Sequence, residues 1–91
     1  MAQRRGNRLH GERAKRLAIC VGDNVRTLRE KQGLSQTSFA RKASIERTVL
    51  SKIENGTRPL TLVTLARLAA ALRVEAWQLL RSKLPRGGAG K

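Results

Sequence analysis

Two glycines and a proline constrain this chain more than any other feature. Gly33, Gly56 and Pro59 interrupt a sequence otherwise rich in helix formers. Glycine takes the left-handed conformation that ends a helix, and proline removes a backbone donor. The segments between these stops are too short for one long rod. A core can form only if several short helices pack on one another. The residue balance agrees. Leu (13) and Ala (11) supply 24 of the 36 apolar residues, and Val with Ile only 8. That favours helix over strand.

Apolar spacing predicts five helices. The first is expected from about Gly22 to Gln32, with Val21, Val25 and Leu28 as one stripe. Ser35 then caps a second, from Gln36 to Ala43, whose buried side is Phe39, Ala40 and Ala43. After a turn at Ser44–Ile45, a third runs from Arg47 to about Asn55. Leu50 and Ile53 face inward there, with Ile45 beneath. Arg47, Thr48, Ser51, Lys52 and Asn55 fall on the outer face. Thr61 caps a fourth, Leu62 to Leu72, with Leu62, Leu65, Ala66, Leu68, Ala69 and Leu72 as a wide apolar face. A fifth is expected from about Glu75 to Ser82, with Trp77 as a core or interface anchor. The predicted fold class is all-α, a five-helix bundle. Its second and third helices, joined by a short turn, form a helix-turn-helix.

Charge narrows the partner. The 91 residues carry 20 Lys+Arg against 6 Asp+Glu, a net charge of +14. That length predicts one domain. Such self-repulsion in a compact chain points to a polyanion. Residues 1–20 read as a basic N-terminal arm, partly helical, residues 21–84 as the folded domain, and residues 85–91 as a flexible tail. Half of the excess charge lies in those two flanks. They serve either solubility or added phosphate contacts.

Other classes are disfavoured. Phe39 and Trp77 are the only aromatics, too few for stacking single-stranded bases. Cys20 and His10 stand alone, so neither a disulfide nor a metal site is expected. Glu46, Glu54 and Asp23 lie apart, without a Ser/His or Cys/His arrangement, so no enzyme and no cofactor is expected. No apolar run suits a membrane span or a secretory signal. The expected location is cytoplasmic, with the nucleoid.

Residues 34–56, LSQTSFARKASIERTVLSKIENG, resemble the phage-repressor and Cro type of helix-turn-helix, the XRE family. The later run TLVTLARLAAALRVEAWQLL resembles that family's fourth and fifth helices. The resemblance covers about residues 21–82. It implies a lambda-repressor-like five-helix domain that binds operator DNA, usually as a dimer. ERTVLSKIENGTRPLTL is similar to the controller proteins of restriction–modification systems, and also to short phage repressors and antitoxins.

The resemblance assigns roles. The third helix lies in the major groove, where Arg47, Thr48, Ser51 and Lys52 reach base edges. Gln36, Thr37, Ser38, Arg41, Asn55 and Arg58 contact the DNA backbone. Arg29 and Glu54 form an ion pair between the first and third helices. Trp77, Leu80 and Leu84 offer a dimer interface, and two subunits would read a pseudo-palindrome. RNA polymerase or a toxin is a further partner that family members use. The alternative function is an antitoxin-type interaction module that also binds DNA. Two positions depart from the pattern. Ser44 stands where Gly is frequent, which implies strain if φ is positive. Glu46 replaces the usual Ser, Thr or Asp cap, although its charge suits a helix N-terminus.

Overall fold

The computed structural model describes the backbone of residues 2–82 and the side chains of residues 11–82. Leu84, the 85–91 tail and the side chain of His10 lie outside the described residues. Five helices follow in order: α1 (Ala2–Lys31), α2 (Gln36–Ala43), α3 (Arg47–Glu54), α4 (Leu62–Leu72) and α5 (Ala76–Leu80). The all-α class and, among the described residues, the count of five helices agree with the sequence.

Helix α1 differs from expectation. It does not start at Gly22 but runs through that residue, and the expected boundary between residues 20 and 21 falls inside it. Residues 2–18 are mostly Ala, Arg, Leu, Gln, Glu and Lys, which propagate helix well. Gly22 is no helix start. It faces α3, where an added Cβ would collide with the Ile53 carbonyl oxygen and lie 3.0 Å from that of Glu54. Glycine here lets two backbones touch.

One core joins all five elements. Val21, Val25, Phe39, Leu50, Leu68 and Leu79 are fully buried. Each such side chain contributes roughly 1.5–3 kcal/mol relative to exposure. Leu28 and Ile45 pack against this core half-buried. Two expected core positions are not in it. Leu62 is 82% exposed, and Ala66 is exposed too. α4 touches the core along Leu65, Leu68, Ala69, Ala71 and Leu72, and Leu62 and Ala66 lie outside that buried stripe. α5 is shorter than expected and ends at Leu80, with Arg81 extended. Glu75 is its N-cap residue, and the Glu75 amide donates to Gln78 Oε1 at 2.9 Å.

The connections α2–α3 and α4–α5 are one turn built twice. Ser44 (φ 60°) and Arg73 (φ 61°) end their helices in the left-handed conformation. The amide after each reaches back five residues: Ile45 N to Ala40 O at 2.9 Å, Val74 N to Ala69 O at 3.0 Å. That is the Schellman pattern. Ile45 and Val74 both pack against the core. Extended Glu46 and Glu75 then start the next helices. Gly33 and Gly56 (both φ 72°) end α1 and α3 as the sequence predicts.

Candidate nucleic-acid interface

The interface is assembled from α2, α3 and the loop after α3. Ser35 Oγ accepts the Ser38 amide at 3.0 Å and starts α2. Phe39, Ala40 and Ala43 anchor α2 to the core, while Leu50 and Ile53 anchor α3. Burying these faces forces the others outward. Arg47, Thr48 and Lys52 are exposed, and Ser51 is half-buried. Thr37, Ser38 and Arg41 are exposed on α2, as are Asn55 and Arg58 beyond α3. Asn55 caps α3 rather than extending it, and its amide donates to Ser51 O at 3.1 Å. The ten sequence-predicted positions are therefore all at least partly open to solvent. From residue 36 to 58 they and Lys42 give five cations against one exposed carboxylate, Glu46. Glu46 precedes α3 and makes no side-chain cap.

A buried charge network holds this face in place. Arg29 Nε donates to Glu54 Oε2 at 2.6 Å, and Nη2 donates to Oε1 at 3.0 Å. Both residues are buried. Arg29 Nη1 also donates to Leu34 O at 2.7 Å. The hydrogen bond to Glu54, more than its charge alone, raises the Arg29 pKa above the ordinary guanidinium value, against the opposing effect of burial. The expected pairing of Arg29 with Glu54 is present. Gln36 adds a connection that sequence reasoning missed, since its Nε2 donates to Glu54 Oε1 at 3.0 Å. Glu54 thus links the end of α1, the start of α2 and the end of α3. An ionised carboxylate only accepts, so Gln36 must turn an N–H toward it. Its carbonyl oxygen and its second N–H remain available.

Asn24 is a second missed residue. It is buried, and its Nδ2 donates to Leu79 O at 2.9 Å and Arg81 O at 2.8 Å. The signal was a polar residue beside Val21, Val25 and Leu28 in the buried stripe. Cys20 is half-buried, and its Sγ donates to the same Arg81 oxygen at 3.0 Å. Trp77 is not core: it is 59% exposed, with the Arg81 guanidinium 5.7 Å from its ring centre. Leu80, 39% exposed, lies one turn on.

A model of the family described as helix-turn-helix matches residues 25–76. The chain belongs to the helix-turn-helix family. As a member it is a DNA-binding transcription regulator of the XRE type. The matched span contains α2, α3 and α4 entire. This helix-turn-helix chain is 41% identical over 64 residues to control protein C.MunI of Mycoplasma sp, covering 69% of this chain and 86% of that protein. The crystal structure of the restriction-modification controller protein C.AhdI from Aeromonas hydrophila superposes with a TM-score of 0.66 at 34% identity. It covers 68% of this chain and 94% of that one. The hypothetical transcription factor NHTF from Neisseria gives a TM-score of 0.72 at 33% identity, over 77% of this chain and 79% of that one. Among the described residues, no helix is long and apolar enough to cross a membrane.

Proposed function

We propose that this chain is a sequence-specific regulator of the controller type, binding a pseudo-palindromic operator as a homodimer. The observation that carries the reading is the outer face of α3. Arg47, Thr48 and Lys52 project from it while Leu50 and Ile53 are locked in the core. In the major groove Arg47 donates a bidentate pair to guanine, worth roughly 1–3 kcal/mol of discrimination. Thr48 offers a hydroxyl, and a methyl for thymine. Ser51 and Lys52 extend contact by one turn.

Gln36, Thr37, Ser38, Arg41, Asn55 and Arg58 hold the sugar–phosphate backbone on either side and set register. The basic residues of the 1–20 arm add affinity without sequence preference. Trp77 and Leu80 supply the dimer contact, because an exposed tryptophan one turn from a leucine is apolar surface the monomer does not cover. Two recognition helices then sit roughly 34 Å apart. The target places the protein with the nucleoid.

Selection of bound sites from random duplex DNA tests this directly. The expected product is a two-fold symmetric motif that loses its preference with Arg47→Ala. Equal recovery of all sequences by the unmodified chain would refute sequence specificity. A strict monomer in sedimentation that still binds tightly would refute the dimer. A second reading, an antitoxin that holds a protein partner and DNA, draws on exposed Leu62, Val63 and Trp77. A toxin that co-purifies through those residues would favour it.

A further inference from the structure

Glu46 is the one exposed carboxylate among residues 36–58, set among Arg41, Lys42, Arg47, Lys52 and Arg58. It stands immediately before α3 with extended backbone, φ −77° and ψ 146°. That conformation takes it off the helical spiral, so it does not follow Leu50 and Ile53 into the core. A residue in this place ordinarily turns its side chain back onto the first-turn amides. Glu46 makes no such bond, and among the described residues its carboxylate has no hydrogen-bond or ion-pair partner.

The turn before α5 shows what a purely structural glutamate does here. It has the same left-handed residue two places earlier and also ends in a glutamate, Glu75. There the Glu75 amide donates to Gln78 Oε1 at 2.9 Å, so a side chain three residues on secures the helix start. The matching residue of α3 is Val49, which packs against the core and offers no side-chain acceptor. The next residue differs too. Ala76 follows Glu75, whereas Arg47 follows Glu46. The two glutamates share a turn and not a role.

A carboxylate on a DNA-facing surface is unfavourable beside phosphate, since both are anions. It is favoured only where the duplex offers a donor. The base edges of the major groove offer two, cytosine N4 and adenine N6. Adenine N6 lies between two acceptors, its own N7 and O4 of the paired thymine, and an acceptor-only carboxylate is repelled by both. Cytosine N4 has an acceptor on one side alone, O6 of the paired guanine, and that oxygen is what an arginine takes.

We infer that Glu46 is a specificity-determining residue, its carboxylate accepting an N4 amino hydrogen of a cytosine in the half-site whose guanine Arg47 reads. The inference rests on α3 being the base-reading helix. At that position Glu46 repels the other bases, and so adds a selection that the surrounding cations do not supply.

The test is selection of bound sites from random duplex DNA by the unmodified full chain and by Glu46→Ala. The unmodified chain is expected to prefer cytosine at one position of each half-site, by about tenfold over the other bases in anisotropy titrations. Glu46→Ala is expected to keep the Arg47-dependent guanine, to lose that cytosine, and to bind the other bases there more tightly. Its helical circular dichroism is expected to match that of the unmodified chain, because no cap bond is lost. Replacing the selected cytosine by pyrimidinone, which lacks the amino group, is expected to weaken the unmodified chain about tenfold and to leave Glu46→Ala nearly unaffected. Adenine at the selected position, a motif unchanged by Glu46→Ala, or an equal loss with pyrimidinone in both proteins would each overturn the assignment. So would a gain of affinity by Glu46→Ala that is uniform over all duplexes, which reduces the carboxylate to a repellent of phosphate. If the unmodified chain selects no motif, the base-reading role of α3 fails and the inference with it. If the guanine of Arg47 is selected without a Glu46-dependent cytosine, the role of α3 stands and the Glu46 assignment alone fails.

Discussion

Ser44 and Arg73 share one backbone conformation, φ 60° with ψ 43° and φ 61° with ψ 43°, at the ends of α2 and α4. Neither residue is glycine. A side chain in the left-handed region costs roughly 1–2 kcal/mol. Part of that cost returns when glycine replaces it, offset by the larger entropy glycine loses on folding. Ser44→Gly and Arg73→Gly are each expected to stabilise the fold by roughly 0.5–1 kcal/mol, measured by urea unfolding. The two effects are expected to add, since the turns are separate.

Two glycines of α1 predict opposite signs. A Cβ on Gly22 meets the Ile53 carbonyl, which is backbone and cannot swing away. A Cβ on Gly11 meets nothing within 4 Å. Gly22→Ala is expected to destabilise by about 2–3 kcal/mol. Gly11→Ala gains helix propensity of about 0.8–1 kcal/mol. Thermal unfolding of the pair separates packing from propensity within one helix.

Arg29→Lys keeps the charge and loses the fork. Arg29 makes two bonds to Glu54 and one to Leu34 O. An ammonium on a shorter reach cannot reproduce that planar set. A loss of about 2–3 kcal/mol is expected in denaturant titration, approaching the 3–5 kcal/mol of a broken buried pair. The sign of any pH effect follows from the raised pKa of Arg29. Its stabilisation is complete below the unfolded guanidinium value and is lost only as pH rises through the still higher folded one. Arg29 therefore contributes no pH dependence near neutrality.

Asn24→Leu tests the attachment of α5. Removing the side-chain amide leaves the buried Leu79 carbonyl without that donor, at a cost of about 1–3 kcal/mol. A five-residue helix has little stability of its own. The expected outcome is local release of α5 before global unfolding. Trp77, the chain's one tryptophan, reports it as a fluorescence change preceding loss of helical circular dichroism.

Arg47 and Arg58 are expected to differ in kind. Arg47→Ala flattens sequence preference. Arg58→Ala weakens all duplexes alike and reduces the salt slope by about 1. Anisotropy titrations against the selected operator and a scrambled duplex, at several salt concentrations, distinguish them.

Much of the fold and the exposed face of α3 was legible in the residues themselves. Gly33 and Gly56 end α1 and α3 in the left-handed conformation, which costs glycine little. The alternation of Leu50 and Ile53 with Arg47, Thr48 and Lys52 fixes which side of α3 is buried, because helical periodicity is local. Ser35 and Thr61 cap for equally local reasons.

What the tertiary structure decided involves contacts between residues far apart in the chain. Gly22 reads as a boundary until α3 lies against it. Asn24 gains its buried role only because the Leu79 and Arg81 carbonyls meet it. Gln36 reads from sequence as a DNA-backbone contact alone, and only the fold brings Glu54, 18 residues away, to take one of its hydrogens. Leu62 belongs to an apolar helix face, yet it lies outside the buried stripe of α4 and stays in solvent. Sequence spacing carries the period of a helix, and so its inward face. It does not carry where the neighbouring element ends, and that distance settles whether a residue is buried, bonded or bare.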